Sequence, residues 1–122
     1  MSNLAYDIYR QNNVTVESPQ KLVQMMYEGV LRFASLAKKS INEGNVEKKV
    51  YWINRTTDIF AELVNILDYE KGGETAYYLN GLYAHQIKLL SDANIENDTT
   101  HIDTVLRVTK GLLEAWREIH NQ

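Results

Sequence analysis

The stretch Leu67-Asp68-Tyr69-Glu70-Lys71-Gly72-Gly73-Glu74 constrains the fold more than any other, because long helical patterns lie on both sides of it. Glycine accepts φ > 0 without a Cβ clash, so the pair predicts the end of one helix and an immediate reversal. On that reading Lys71 falls in the last turn of one helix, where a cation suits the negative end of the dipole, and Glu74 opens the next. So short a connection predicts two adjacent antiparallel helices.

Apolar spacing then divides the rest of the chain. Ser18 reads as an N-cap and Pro19, the one proline, as the first helical position. From there Leu22, Met25, Met26, Gly29, Val30, Phe33, Leu36, Ala37 and Ile41 form one helical stripe. Glu43-Gly44-Asn45 ends that helix and caps a second, from about Val46 to Lys71, whose core row is Val46, Val50, Ile53, Thr57, Phe60, Val64 and Leu67. A third runs from about Glu74 to Ala93, with Ala76, Leu79, Tyr83, Ile87 and Leu90 as its core row. Asp98, Thr99 or Thr100 caps a fourth, which carries Ile102, Val105, Leu106, Thr109, Leu112, Leu113, Trp116 and Ile119. Short links between four helices predict an all-α, antiparallel, up-down-up-down four-helix bundle over residues 18–122. Residues 1–17 form an arm in which Leu4, Ala5, Ile8 and Tyr9 have helical spacing, too short to be a stable helix alone. Gly29, Gly81 and Gly111 lie inside helices; close helix–helix approach is the expected reason, and a shallow spot in a groove floor is the alternative.

Composition narrows the function. The 122 residues make one domain with a formal net charge of −3 and no cysteine. Disulfides, thiolate metal sites and cysteine nucleophiles are excluded. No run reaches the roughly 18 apolar residues of a membrane span, and the N-terminus lacks a signal-peptide layout, so a cytoplasmic protein without membrane insertion is expected. No basic footprint suits nucleic acid: Glu43 and Glu47 interrupt Lys38-Lys39 and Lys48-Lys49. No Glu-x-x-His pair supports a bundle metal site, so neither metal nor cofactor is expected. His85-Gln86-Ile87-Lys88 matches half of a helical phosphotransfer motif, but Leu89 stands where that chemistry needs a small residue. Nucleophile elbows and phosphate loops are missing too, and no enzyme activity is predicted.

Apolar surface remains in excess. Trp52, Ile59, Leu63 and Ile66 form a second row on the second helix, and Tyr78, Leu82 and Leu89, with His85 in line, form one on the third. Leaving a Leu or Ile in water forgoes about 1.5–3 kcal/mol. Such a row needs a cover: the arm through Leu4, Ile8 and Tyr9, a second copy, or a partner helix in a groove. The residues alone do not choose among these. A small regulatory adaptor that dimerises through this face is a further reading.

The order Tyr9, Val14, Ser18-Pro19-Gln20-Lys21-Leu22, Met26-Tyr27-Glu28-Gly29, the Leu67–Glu74 stretch, Leu82-Tyr83, Ala93-Asn94 and Leu113…Trp116 spans nearly the whole chain and resembles the flagellin export chaperone (FliS) family. Tyr69 departs from the Phe of many members, and little chain follows Trp116. The resemblance implies a cytosolic four-helix chaperone without ATPase activity. Such a protein binds the disordered C-terminal segment of flagellin, prevents early polymerisation and delivers the subunit to the type III export gate. Members also bind co-chaperone or regulatory proteins; the chain itself is expected to be a monomer or weak homodimer. The expected flagellin-binding groove joins Trp52, Ile59, Leu63 and Ile66 to Tyr78, Leu82 and Leu89, with Leu4, Ile8 and Tyr9 as an N-terminal cap over part of it. Tyr27, Asp68 and Tyr83 carry family motifs whose role is expected to be structural rather than client-contacting.

Overall fold

A computed structural model describes residues 18–120. They form four helices: α1 (Pro19–Asn42), α2 (Val46–Asn65), α3 (Tyr69–Glu96) and α4 (Thr99–His120). Each packs on its neighbours in chain order and α4 closes back on α1, so α1–α3 and α2–α4 are the diagonals of a square. This is the expected antiparallel bundle. The α3–α4 seam is the thinnest of the four. The expected cap residues Leu4, Ile8 and Tyr9 lie outside the described residues.

The helix ends follow local chemistry. Ser18 Oγ accepts the Lys21 N–H (3.2 Å), and Asn45 Oδ1 accepts the Lys48 N–H (3.0 Å). Gly44 reverses the chain between α1 and α2 at φ 68°. Asp98 Oδ1 accepts both the N–H (2.9 Å) and the hydroxyl (2.7 Å) of Thr100 at the start of α4.

The double glycine is not the reversal. The chain turns earlier, because Asp68 captures the start of α3: its Oδ1 accepts the Lys71 N–H (3.0 Å) and its carbonyl the Gly72 N–H (2.8 Å). Lys71 therefore opens α3 instead of closing α2. One turn later Gly73, at φ 51°, ψ −128°, breaks the helix and re-aims it. That conformation is open to glycine and strained for any residue with a Cβ.

The core also rotates α2 away from its expected register. Val46 and Val50 are exposed, whereas Ile59 and Leu63 are enclosed beside Ile53, Thr56 and Phe60. The inward face lies between the two expected rows and draws on both, Ile53 and Phe60 from the expected core row and Ile59 and Leu63 from the second. Two polar groups marked the inward face. Lys49, almost fully buried, donates from Nζ to Asn94 O (3.0 Å) and Asn97 Oδ1 (2.8 Å), a cation set against the C-terminus of α3. Thr56 returns its hydroxyl to Trp52 O (2.7 Å).

Gly81 and Gly111 do not mark close helix contact. Both are exposed, and a Cβ built on either meets nothing within 4 Å. Gly81→Ala should accordingly raise stability by about 0.5–1 kcal/mol through helix propensity and unfolded-chain entropy. Gly73→Ala should lower it by about 1–3 kcal/mol. Urea unfolding followed by circular dichroism measures both, and opposite signs are expected.

Candidate functional site

One layer of the interior draws on all four helices. The Tyr27 (α1) and Tyr83 (α3) hydroxyls meet at 2.6 Å across the bundle diagonal. Phe60 of α2 packs on the Tyr83 ring (centroids 6.0 Å apart). Trp116 of α4 stands edge-on to Tyr27 (6.2 Å) and donates its indole N–H to Gln20 O (2.8 Å). Burial pushes both phenol pKa values above their ordinary range, so both stay neutral and one hydroxyl donates to the other. Tyr27 and Tyr83 are thus internal struts and Asp68 is a helix cap; none of the three presents its motif chemistry outward.

The two expected apolar rows do not meet. On α2, Ile59 and Leu63 belong to the sealed core and Trp52 is half-buried against Phe33 of α1 (ring centroids 5.2 Å), so this row turns toward α1. Ile66, past the end of α2, is exposed. On α3 the row faces the opposite seam. Tyr78, Leu82, His85, Leu89, Asp92 and Glu96 recur every three or four residues, and Glu96 Oε1 lies 3.0 Å from Nε2 of His101, at the start of α4. Adjoining rows thus became opposite flanks once α2 took its true register. A single groove joining all seven residues is corrected to one flank, carried by Tyr78, Leu82 and Leu89.

The α4 side of that flank went unnoticed in the sequence. Descending from His101 at helical spacing, Val108, Leu112, Ala115 and Ile119 face α3. Leu82, Leu89, Val108 and Leu112 are half-buried, while Tyr78 and Ile119 are 67% and 63% exposed. Gly81 and Gly111 face solvent on the outer sides of α3 and α4, with nothing within 4 Å of a Cβ built on either. The signal available in the sequence was the helical spacing of Val108, Leu112, Ala115 and Ile119. Exposed aromatics continue around the hairpin, where Tyr69 stacks near Tyr77 (4.7 Å).

Nothing in this arrangement resembles a reaction centre. His85 is exposed on the flank, and Lys88 beside it is paired with Asp92 (2.9 Å). Glu96, Asp98 and His101 bring ligand atoms within 4.8 Å of one another, a spacing that could hold a metal ion. Each already has a structural partner: Glu96 bonds His101, and Asp98 caps α4. A hollow of about 140 Å³ at the α1–α2 turn is lined by Ser40, Ile41, Val46 and Lys49, and Lys49 is already satisfied there. No described helix is long and apolar enough to cross a membrane.

Fold and surface together define a helical-bundle protein whose spare apolar area is an external flank rather than an enclosed ligand site. The profile of the family described as flagellar protein FliS matches residues 1–122. The chain is 59% identical over 120 residues to the flagellar secretion chaperone FliS of Campylobacter jejuni, covering 98% of this chain and 94% of that protein. It is 31% identical over 110 residues to its counterpart in Salmonella typhimurium (89% and 82% covered). Against that of Bacillus subtilis it is 29% identical over 113 residues (93% and 84%). The chain therefore belongs to the FliS family of flagellar secretion chaperones.

The tyrosine pair and the His101 contact each make a prediction. Tyr27→Phe or Tyr83→Phe alone strands a buried hydroxyl and should cost about 1–3 kcal/mol, whereas the double Phe variant should lie closer to wild type than the sum of the singles. Denaturant titration of the four proteins measures this cycle. For His101, the Glu96 hydrogen bond raises the folded-state pKa above its ordinary value. The contact therefore stabilises fully below the unfolded pKa and is lost as pH rises through the folded one. His101→Gln should remove that decline from the melting temperature measured across neutral pH.

Proposed function

We propose that this protein binds the disordered C-terminal segment of flagellin on the α3–α4 flank, holds it unpolymerised in the cytoplasm and delivers it to the type III export gate. Family membership supports the flagellar role. The observation that supports the location is the apolar strip through half-buried Leu82 and Leu89 along the thin α3–α4 seam. Binding needs no catalysis. A segment that helps build a filament exposes apolar rows when alone, and a preformed apolar flank substitutes for its missing neighbours. The segment orders on contact and loses conformational entropy, which moderates affinity and leaves the subunit releasable. Residues 1–17, through Leu4, Ile8 and Tyr9, act as a cap competing for apolar surface, and a co-chaperone or regulator engages the bundle elsewhere.

Leu82→Asp tests the placement, because Leu82 is half-buried on the flank and its change leaves the core layer intact. Leu63→Asp would not: at 1% exposure it would bury a charge and unfold the bundle. Calorimetric titration with a flagellin C-terminal fragment should show a 1:1 complex weakened at least ~tenfold by Leu82→Asp, the apolar loss amounting to about 1.5 kcal/mol or more. Tyr51→Asp, on the outer face of α2, should leave the affinity unchanged. Equal affinity for wild type and Leu82→Asp, or a homodimer indifferent to the fragment, would overturn the proposal.

A further inference from the structure

The α1–α2 seam, across the bundle from the α3–α4 flank, holds two cations without counter-charges. Arg32 of α1 and Arg55 of α2 both stand over the ring of Phe33, with guanidinium carbons 5.1 and 5.2 Å from its centroid. Two like charges are thereby held within about 10 Å of each other, roughly one Debye length at 0.1 M salt. No carboxylate among the described residues comes within ion-pair distance of either. Glu28, one turn before Arg32, is held by Arg117 of α4 (2.9 Å). Asp58 and Glu62, one and two turns beyond Arg55, stand too far from it to pair. Lys39 and Lys48 lie two turns away toward the α1–α2 turn, where Glu43 and Glu47 offset them, and Lys21 lies three turns away at the other end. Lys38 and Lys49, the remaining charges of the two helices, are turned to α4 and α3. The unmatched charge therefore centres on the two arginines. Arg55 Nε is moreover shut off from water without a hydrogen-bond partner. Beside them the aromatic floor continues outward: Trp52 packs on Phe33, and Tyr51, 52% exposed and one turn from Arg55, stands edge-on to Trp52 (4.8 Å).

We infer that the α1–α2 seam at Arg32 and Arg55 docks an acidic segment of a partner protein, whose neighbouring carboxylates are taken by the two guanidiniums. A guanidinium stacked on a ring keeps its planar N–H donors free, and that fork matches a carboxylate in bidentate fashion. Bound carboxylates also cancel the repulsion between the arginines, and one that draws the Arg55 head outward ends the isolation of its Nε. Tyr51 offers its ring to an apolar side chain next to the carboxylates. A nucleic acid or an anionic membrane would call for a broad basic face; a net charge of −3, with Asp58 and Glu62 nearby, suits a short acidic peptide instead. The seam shares no helix with the α3–α4 flank, so the two faces can be occupied together, and the inference does not depend on where the flagellin segment lies.

The test uses the full chain and two short fluorescent peptides, one with Glu on both sides of a central Leu and one with Gln in place of every Glu. Fluorescence anisotropy at low salt should show the Glu peptide binding at least ~tenfold more tightly, with the gap narrowing as salt is added. Arg32→Gln and Arg55→Gln should each weaken it several-fold, and the double variant should erase the preference. Arg32 is exposed, so its change leaves the core untouched. Arg55→Lys, which keeps the charge and loses the fork, should retain only part of the affinity. Lys110→Gln, the same charge change on the exposed face of α4, should leave binding as it was. A saturating flagellin C-terminal fragment should not displace the peptide. Equal affinities for the Glu and Gln peptides, or a loss as large in Lys110→Gln as in Arg32→Gln, would overturn the inference. So would displacement by the flagellin fragment, or tighter binding of a DNA oligonucleotide or a phosphatidylserine vesicle through the same two arginines.

Discussion

The bundle is keyed by one buried hydrogen bond. Tyr27 and Tyr83 belong to helices that are not neighbours, and their hydroxyls meet at 2.6 Å on the diagonal. A contact of that length fixes the height of α1 against α3. Phe60 and Trp116 then seat α2 and α4 on the same two rings. Each hydroxyl is the other's partner in a space that excludes water, so the pair is satisfied only when all four helices are in register. Polar specification of this kind costs some burial energy and selects one packing over its near neighbours.

A full interior has consequences for the surface. With Ile59, Leu63 and Phe60 drawn inward, α2 has little apolar area left on its α1 side. The α3–α4 seam is different. It is the thinnest contact in the bundle, and Leu82, Leu89, Val108 and Leu112 are only half-covered there. A polar group lies behind it as well: Gln86 of α3 is fully buried, bonded through Nε2 to Leu82 O (3.3 Å), with Oε1 unpartnered.

Four helices, their caps and their order were legible because periodicity and capping are local. Ser18-Pro19, Gly44-Asn45 and Asp98 each act within a few residues of themselves. Two readings failed for non-local reasons. The double glycine looked like the reversal, but Asp68 captured the start of α3 first, and the glycines became a kink inside it. On α2 two apolar rows ran side by side, and contacts with Phe33 and with the end of α3 turn inward a face that draws on both. That rotation carried the candidate site with it. Tyr78, Leu82 and Leu89 kept their place on a flank, Ile59 and Leu63 became core, and Trp52 turned toward α1. The α4 half of the flank, Val108, Leu112, Ala115 and Ile119, is distinguished from core only by which neighbour it meets, and that is not local.

Chemical-shift mapping of the isotopically labelled protein with a flagellin C-terminal fragment tests the central claim most directly. The largest amide changes are expected along residues 78–89 and 108–119, with the Tyr27–Tyr83 layer unmoved. Changes concentrated around Trp52 and Phe33 on the α1–α2 seam, with 78–89 and 108–119 silent, would contradict it.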